Sequence, residues 1–227
     1  MGADTTAVLI IEAHAVVRRG LKQFLVEELP GVIVEEAQNA AAALVQLASR
    51  EFQLVFLDLS VPGRSGLEFV SELHSAFPKT PILVLSIHSE EGFAVRSLRA
   101  GASGYLHKGS TRQDLVYAMQ RVMAGGRYLS AEMAERIAVG VASPAPEDRL
   151  SNREFEVLRG IAAGKKLTEL ARDLSMSTKT VSTHKRRIMM KLNLANNAEL
   201  SRFAVRHEFN AGGPDSLQEG GGRSFEA

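Results

Sequence analysis

Over the first 125 residues, short apolar runs rich in β-branched side chains alternate with longer segments of helical periodicity. This alternation constrains the fold more than any other feature of the chain. The runs fall at 8–11, 32–35, 54–57, 82–85 and 104–106. After the first of them, Val17, Leu21, Phe24, Leu25 and Leu29 recur at three- and four-residue steps and mark one apolar helix face. The segments 40–50, 66–77, 90–100 and 112–124 read the same way. LVFL at 54–57 and ILVL at 82–85 are apolar throughout, as strands covered on both faces should be. Five strands separated by helices predict a doubly wound α/β domain, (βα)5 with a parallel sheet, over residues 1–125.

Beyond it the pattern changes. Residues 126–149 read as a linker: RYLSAEMAERIAVGVA has the composition of a helix, and SPAPEDR behind it carries two prolines and three charges. From 150 to 208 the periodicity is helical only, in segments 151–163, 168–174, 178–192 and 197–207, which predicts a small all-α domain of four helices. The last 19 residues, 209–227, are Gly-rich with few apolar side chains and are expected to be disordered. Charge divides along the same lines. Residues 151–208 hold 12 Lys and Arg against 6 Asp and Glu, whereas residues 1–150 hold 14 against 17. A basic unit behind an acidic one points to a polyanion partner for the C-terminal domain. The chain has no cysteine, which excludes disulfides and thiolate metal sites. It has no apolar run of the roughly 20 residues that a membrane span needs and no secretory leader pattern, so a cytoplasmic protein without a membrane partner is expected.

In a doubly wound sheet, chemistry gathers at the carboxyl ends of the strands. Those ends carry Glu12 and Ala13, then Asp58, then Ser86, then Lys108. Two carboxylates, a hydroxyl and an ammonium facing one crevice suit the handling of a phosphoryl group. A carboxylate is a nucleophile, a hard cation held by oxygens neutralises charge, and lysine and hydroxyl stabilise the phosphoryl oxygens. The motifs VLIIEAHAVVRRGL, VFLDLSVPGRSGLE, ILVLSIH and GASGYLHKGS, across residues 7–124, resemble the receiver domain of bacterial two-component response regulators. That resemblance implies that Asp58 is the phosphoacceptor, supplied by a sensor histidine kinase, and that Ser86 and Tyr105 form the switch pair. It further implies that Lys108 holds the phosphoryl group, and that Mg2+ is bound by Glu12, Asp58 and the backbone carbonyl of Ser60. The family usually carries two adjacent acids after the first strand. Here the pair reads Glu12-Ala13, so a weakened Mg2+ site is expected.

LTELARDLSMSTKTVSTHKRRIMMKL reads as helix, turn, helix. Ser177 is an N-cap candidate, and Ala171 is small enough for a close helix crossing. Val181, Ile188 and Leu192 line one side of the second helix, while Lys179, Ser182, Thr183, Lys185, Arg186 and Lys191 line the other, a face suited to the major groove. The stretch from LSNREFEVL to LANNAEL resembles the LuxR-type helix-turn-helix of the NarL/FixJ subfamily. By position, Ser182, Thr183 and Arg186 would face bases, and Lys179, Thr180, Lys185 and Lys191 the phosphate backbone. The final helix, with Leu200, Phe203 and Ala204 on one face, would dimerise on paired DNA half-sites. The reading is a cytoplasmic transcriptional response regulator that binds double-stranded DNA as a homodimer under control of phosphorylation at Asp58. The alternative is an atypical receiver that regulates transcription independently of phosphorylation. An aspartate-nucleophile phosphatase would want a second acid two residues after Asp58, where Ser60 stands, so the chain is not expected to be an enzyme.

Overall fold

The computed structural model describes residues 6–62, 64–87, 90–131, 133–135 and 146–206. The expected disordered tail at 209–227, and residues 132 and 136–142 of the expected linker helix, lie outside them. Elements follow in the order β1 (Ala7–Ile11), α1 (Ala15–Glu28), β2 (Ile33–Ala37), α2 (Ala40–Ser49), β3 (Leu54–Asp58), α3 (Gly66–Ala76), β4 (Ile82–Ser86), α4 (Glu90–Arg99), β5 (Gly104–His107) and α5 (Arg112–Met123). A 3-10 turn at Pro146–Arg149 then leads into α6 (Asn152–Ala162), α7 (Leu167–Asp173), α8 (Thr178–Lys191) and α9 (Asn197–Arg206). The five strands form one parallel sheet in the order β2-β1-β3-β4-β5.

The period-2 geometry of strands sorts their side chains into two cores. Val8, Ile10, Leu54, Phe56, Leu83 and Leu85 face α1 and α5, where Leu25, Ala118, Met119 and Val122 meet them. Leu9, Ile11, Val55, Leu57 and Val84 face the opposite layer of α2, α3 and α4. A strand buried on both sides therefore needs an apolar residue at every position, which is why β3 and β4 read as continuous runs. Each fully buried Leu or Phe contributes about 1.5–3 kcal/mol relative to exposure. The edge strand β2 is only partly covered, and it carries Glu35 and Glu36.

Helix starts are set by local chemistry. Thr111 and Asp114 close a capping box on α5, and Ser151 and Glu154 close another on α6. Ser177 accepts from the Thr180 amide at the start of α8, as its N-cap position requires. Two glycines mark close approaches. A Cβ at Gly66 would lie 2.3 Å from the Leu59 carbonyl oxygen, so the turn after Asp58 can fold back onto the start of α3 only around glycine. A Cβ at Gly160 would lie 2.0 Å from Leu170 Cδ2, which brings α6 against α7. The core of the helical domain, with Phe155, Leu158, Leu170, Val181 and Ile188, is continuous with the α2–α4 side of the sheet.

Candidate functional site

The carboxyl ends of β1, β3 and β4 bring Glu12, Asp58 and Ser86 together, all buried. Lys108 follows β5, and its amide donates to the Ser86 carbonyl over 2.8 Å, which ties the end of β5 to the end of β4. From there its ammonium reaches Glu12 Oε2 at 2.5 Å and Asp58 Oδ2 at 3.1 Å. The Asp58 contact is an ion pair without hydrogen-bond alignment, so this buried oxygen has no hydrogen-bond partner among the described residues. The other Asp58 oxygen accepts from the Ser60 amide at 3.2 Å. Burial pushes the Asp58 carboxyl up from the usual range against the pull of Lys108, and neighbouring Glu12 pushes the same way. For Glu12, burial is outweighed by hydrogen bonds from Lys108 and His14, and its carboxyl is held low. One lysine thus serves two acids unequally: Glu12 is held low while Asp58 is pushed up.

The residue filling the place next to Glu12 is not Ala13 but His14. Its Nδ1 lies 2.6 Å from Glu12 Oε1, and its amide donates to the same oxygen at 2.8 Å. Glu12, His14 and Asp58 each offer a ligand atom, and these atoms lie within 4.8 Å of one another. Trans ligands of a six-coordinate cation at ~2.1 Å stand ~4.2 Å apart and cis ligands ~3.0 Å, so the three atoms lie near the spacing that one ion requires. Two carboxylates and an imidazole are donors that suit a divalent cation, which would have to displace the Lys108 ammonium from Asp58. Sequence reasoning passed over His14, although its place two residues from Glu12 was the available signal. Tyr105, expected to form the switch pair with Ser86, stands inward with its ring buried.

A contact between the two domains carries no sequence signature. Ser65, the last residue before α3, donates its hydroxyl to the Glu156 carboxylate of α6 at 2.6 Å, and the Leu67 amide reaches the same group at 3.4 Å. An acid of the helical domain thus sits over the N-terminal amides of α3, but its burial outweighs their pull and pushes the carboxyl up. Arg153 of α6 pairs with Glu68 at 2.8 Å. On α4, Phe93 meets Phe155 edge to face at 5.1 Å, and the Arg96 guanidinium lies 4.2 Å from the centroid of that same Phe155 ring. Arg96 also donates to the Leu150 carbonyl at 2.9 Å. Arg159 of α6 lies over Phe93 at 5.0 Å and interacts electrostatically with Tyr105.

On α8, Lys179, Thr180, Ser182, Thr183 and Arg186 are exposed, Lys185 is half-buried, and Arg187, which the sequence reading left out, is exposed beside them. The docked receiver domain leaves this face open. The Thr183 hydroxyl donates to the Lys179 carbonyl at 3.0 Å, and the Thr180 and Ser177 hydroxyls share a bond of 2.8 Å. Lys191 is drawn away from the face assigned to it: its ammonium lies 2.6 Å from Glu154, the buried acid of the α6 capping box. The expected dimer face also needs correction. Leu200 and Ala204 are each 1% exposed and belong to the helical domain's own core, with half-buried Phe203 packed against it. Helical spacing marked the apolar face of α9 but not what it faces.

Residues 8–120 match the family described as response regulator receiver domain, and residues 148–204 match the bacterial regulatory proteins of the luxR family. The response regulator UvrY of Escherichia coli K12 is 32% identical over 205 residues, covering 88% of this chain and 94% of that protein. The response regulator GacA of Pseudomonas aeruginosa is 34% identical over 206 residues, covering 88% and 95%. Among solved structures, the RcsB response regulator of Salmonella typhimurium aligns with a TM-score of 0.70 at 27% identity, over 90% of this chain and 98% of that one. RcsB of Salmonella enterica serovar Typhimurium, bound to promoter rprA in the presence of the phosphomimetic BeF3-, aligns with a TM-score of 0.68 at 28% identity over 89% and 99%.

Proposed function

The chain belongs to the DNA-binding response regulators that join a receiver domain to a LuxR-type helix-turn-helix domain, and on that premise we propose that phosphorylation of Asp58 loosens the hold of α3 and α4 on α6. In the transfer from a histidine kinase, an Asp58 carboxylate oxygen attacks phosphorus, a P–O bond forms, the P–N bond breaks and the kinase imidazole leaves with the electron pair. Glu12, Asp58 and the Ser60 carbonyl would hold a divalent cation, which would neutralise charge at the phosphoryl oxygens. Lys108 exchanges its contact with Asp58 for a phosphoryl oxygen, and the Ser86 hydroxyl donates to another. Ala13 supplies no ligand and Lys108 already occupies both acids, so Mg2+ binds weakly and the transfer is slow.

One observation carries the coupling. The turn after Asp58 ends at Ser65, which holds Glu156, and the segment after Ser86 leads into α4, which holds Phe155. A change at either residue of the pocket would therefore reach α6 along the segment that follows its strand. Released, the helical domain would pair with a second copy on DNA half-sites, with α8 in the major groove. DNA complexes of RcsB, and two RcsB dimers on two parallel DNAs, support that reading. Regulation independent of phosphorylation is the less favoured reading, because Asp58, Ser86 and Lys108 converge as a phosphoacceptor site needs. The test is labelling by a small phosphodonor with divalent cation, read by mass spectrometry. Label confined to Asp58, lost in Asp58→Asn, is expected. No label, or the same label in Asp58→Asn, overturns the assignment.

A further inference from the structure

We infer that the Asp58 pocket is a mixed nitrogen–oxygen cation site, in which a ring nitrogen of His14 joins Glu12 and Asp58 and shifts the preference from Mg2+ towards a borderline divalent transition cation such as Mn2+. The inference deepens the cation-assisted reading of Asp58 and rests on it. Three observations carry it.

Ala13 leaves the second position after β1 without a donor, while the ligand atoms of Glu12, His14 and Asp58 gather within 4.8 Å. His14 is placed by more than chance: it is the N-cap residue of α1, yet its side chain makes no capping bond and turns back to Glu12. Its amide is fixed to the same Glu12 oxygen, so backbone and ring are both set relative to the pocket. The ring is 69% exposed, which leaves it free to turn onto an entering ion without breaking core packing. Finally, Asp58 Oδ2 is buried and is met only by the Lys108 ammonium at 3.1 Å, an ion pair without a hydrogen bond, so an entering cation would compete with one lysine for it.

The chemistry of the donors decides the ion. Mg2+ demands near-ideal octahedral oxygen coordination and takes imidazole poorly. Imidazole beside carboxylates suits first-row transition cations, whose affinities for nitrogen donors exceed that of Mg2+. Loss of the usual acid would thus change which metal the site takes, as well as how tightly.

The experiment uses the full chain. Mn2+ binding is followed by the loss of its free-ion electron paramagnetic resonance signal, Mg2+ binding by competition, and the ligands of bound Mn2+ by pulsed resonance sensitive to 14N. The expected result is one Mn2+ site, abolished in Asp58→Asn, with the 14N coupling of directly bound imidazole and affinity at least about tenfold above that for Mg2+. In His14→Ala the 14N coupling disappears and Mn2+ affinity falls about tenfold or more, while Mg2+ affinity stays within about twofold. Because His14 is exposed, this variant leaves the fold intact. Mn2+ bound at Asp58 without 14N coupling, or equal effects of His14→Ala on both ions, overturns the inference and leaves the phosphoacceptor reading standing. If neither ion binds in an Asp58-dependent way, the cation-assisted reading fails with it.

Discussion

Arg186 and Lys191 sit five residues apart on α8 and are expected to behave differently. Arg186 is exposed on the open face, and if it reads a base edge, Arg186→Ala costs about 1–3 kcal/mol at a specific site and relaxes specificity there. Lys191 is the partner of buried Glu154, so Lys191→Ala acts first on the fold. The loss is about 1 kcal/mol, kept small because the ammonium is partly exposed. Binding titrations on specific and random duplexes, beside thermal unfolding, separate the two. Unfolding of Lys191→Ala at the parent temperature contradicts the pairing. Glu154 also sets an acid limit. Burial raises its pKa, but the bonds from Lys191 and Ser151 outweigh it and hold the carboxyl low. Its stabilisation is complete above the ordinary carboxylate range and is lost as pH falls through its depressed value. On α9, Leu200→Glu buries an unpaired charge and is expected to unfold the helical domain, at a cost of several kcal/mol. Circular dichroism reads this directly, and a folded variant that has lost only its dimer would restore the surface assignment.

At the scale of elements, the joint between α3, α4 and α6 is expected to respond to pH. Burial pushes the Glu156 carboxyl up, against hydrogen bonds from Ser65 and the Leu67 amide and the charge of Arg153, while Glu68 pushes it further up. A raised carboxyl stabilises the docked form fully below the ordinary glutamate pKa, and that contribution is lost as pH rises through the raised value. Docking is therefore expected to tighten in mild acid, and Glu156→Gln to keep it tight across the range. Energy transfer between labels on the two domains measures it, and a pH response unchanged by Glu156→Gln contradicts the assignment. The joint also shows where sequence reading stops. Strand and helix periods placed the sheet, the helices and the four groups at the strand ends, because each rests on local geometry. Glu156 looks like any solvent-facing charge on an amphipathic helix, and nothing local says that it faces Ser65. Leu200 failed for the same reason: period shows a face but not its partner. His14 was legible by position and missed because family habit directed attention to Ala13.

For the whole molecule, an acidic receiver domain meets a basic helical domain at the joint of α3, α4 and α6, which on the proposed reading stays closed until Asp58 is modified. On the same reading, the open face of α8 in the docked form would leave docking to control pairing of copies on DNA more than access to the groove. The direct measurement uses the absence of native cysteine. Val45 and Met190, 71% and 64% exposed on opposite domains, are replaced by cysteine and spin-labelled, and the distance between them is read by double electron–electron resonance. With a phosphodonor and divalent cation, and with phosphorylation confirmed by mass, the single docked distance is expected to give way to a broad distribution, with no change in Asp58→Asn. An unchanged distance in protein that carries the phosphoryl group would contradict the account.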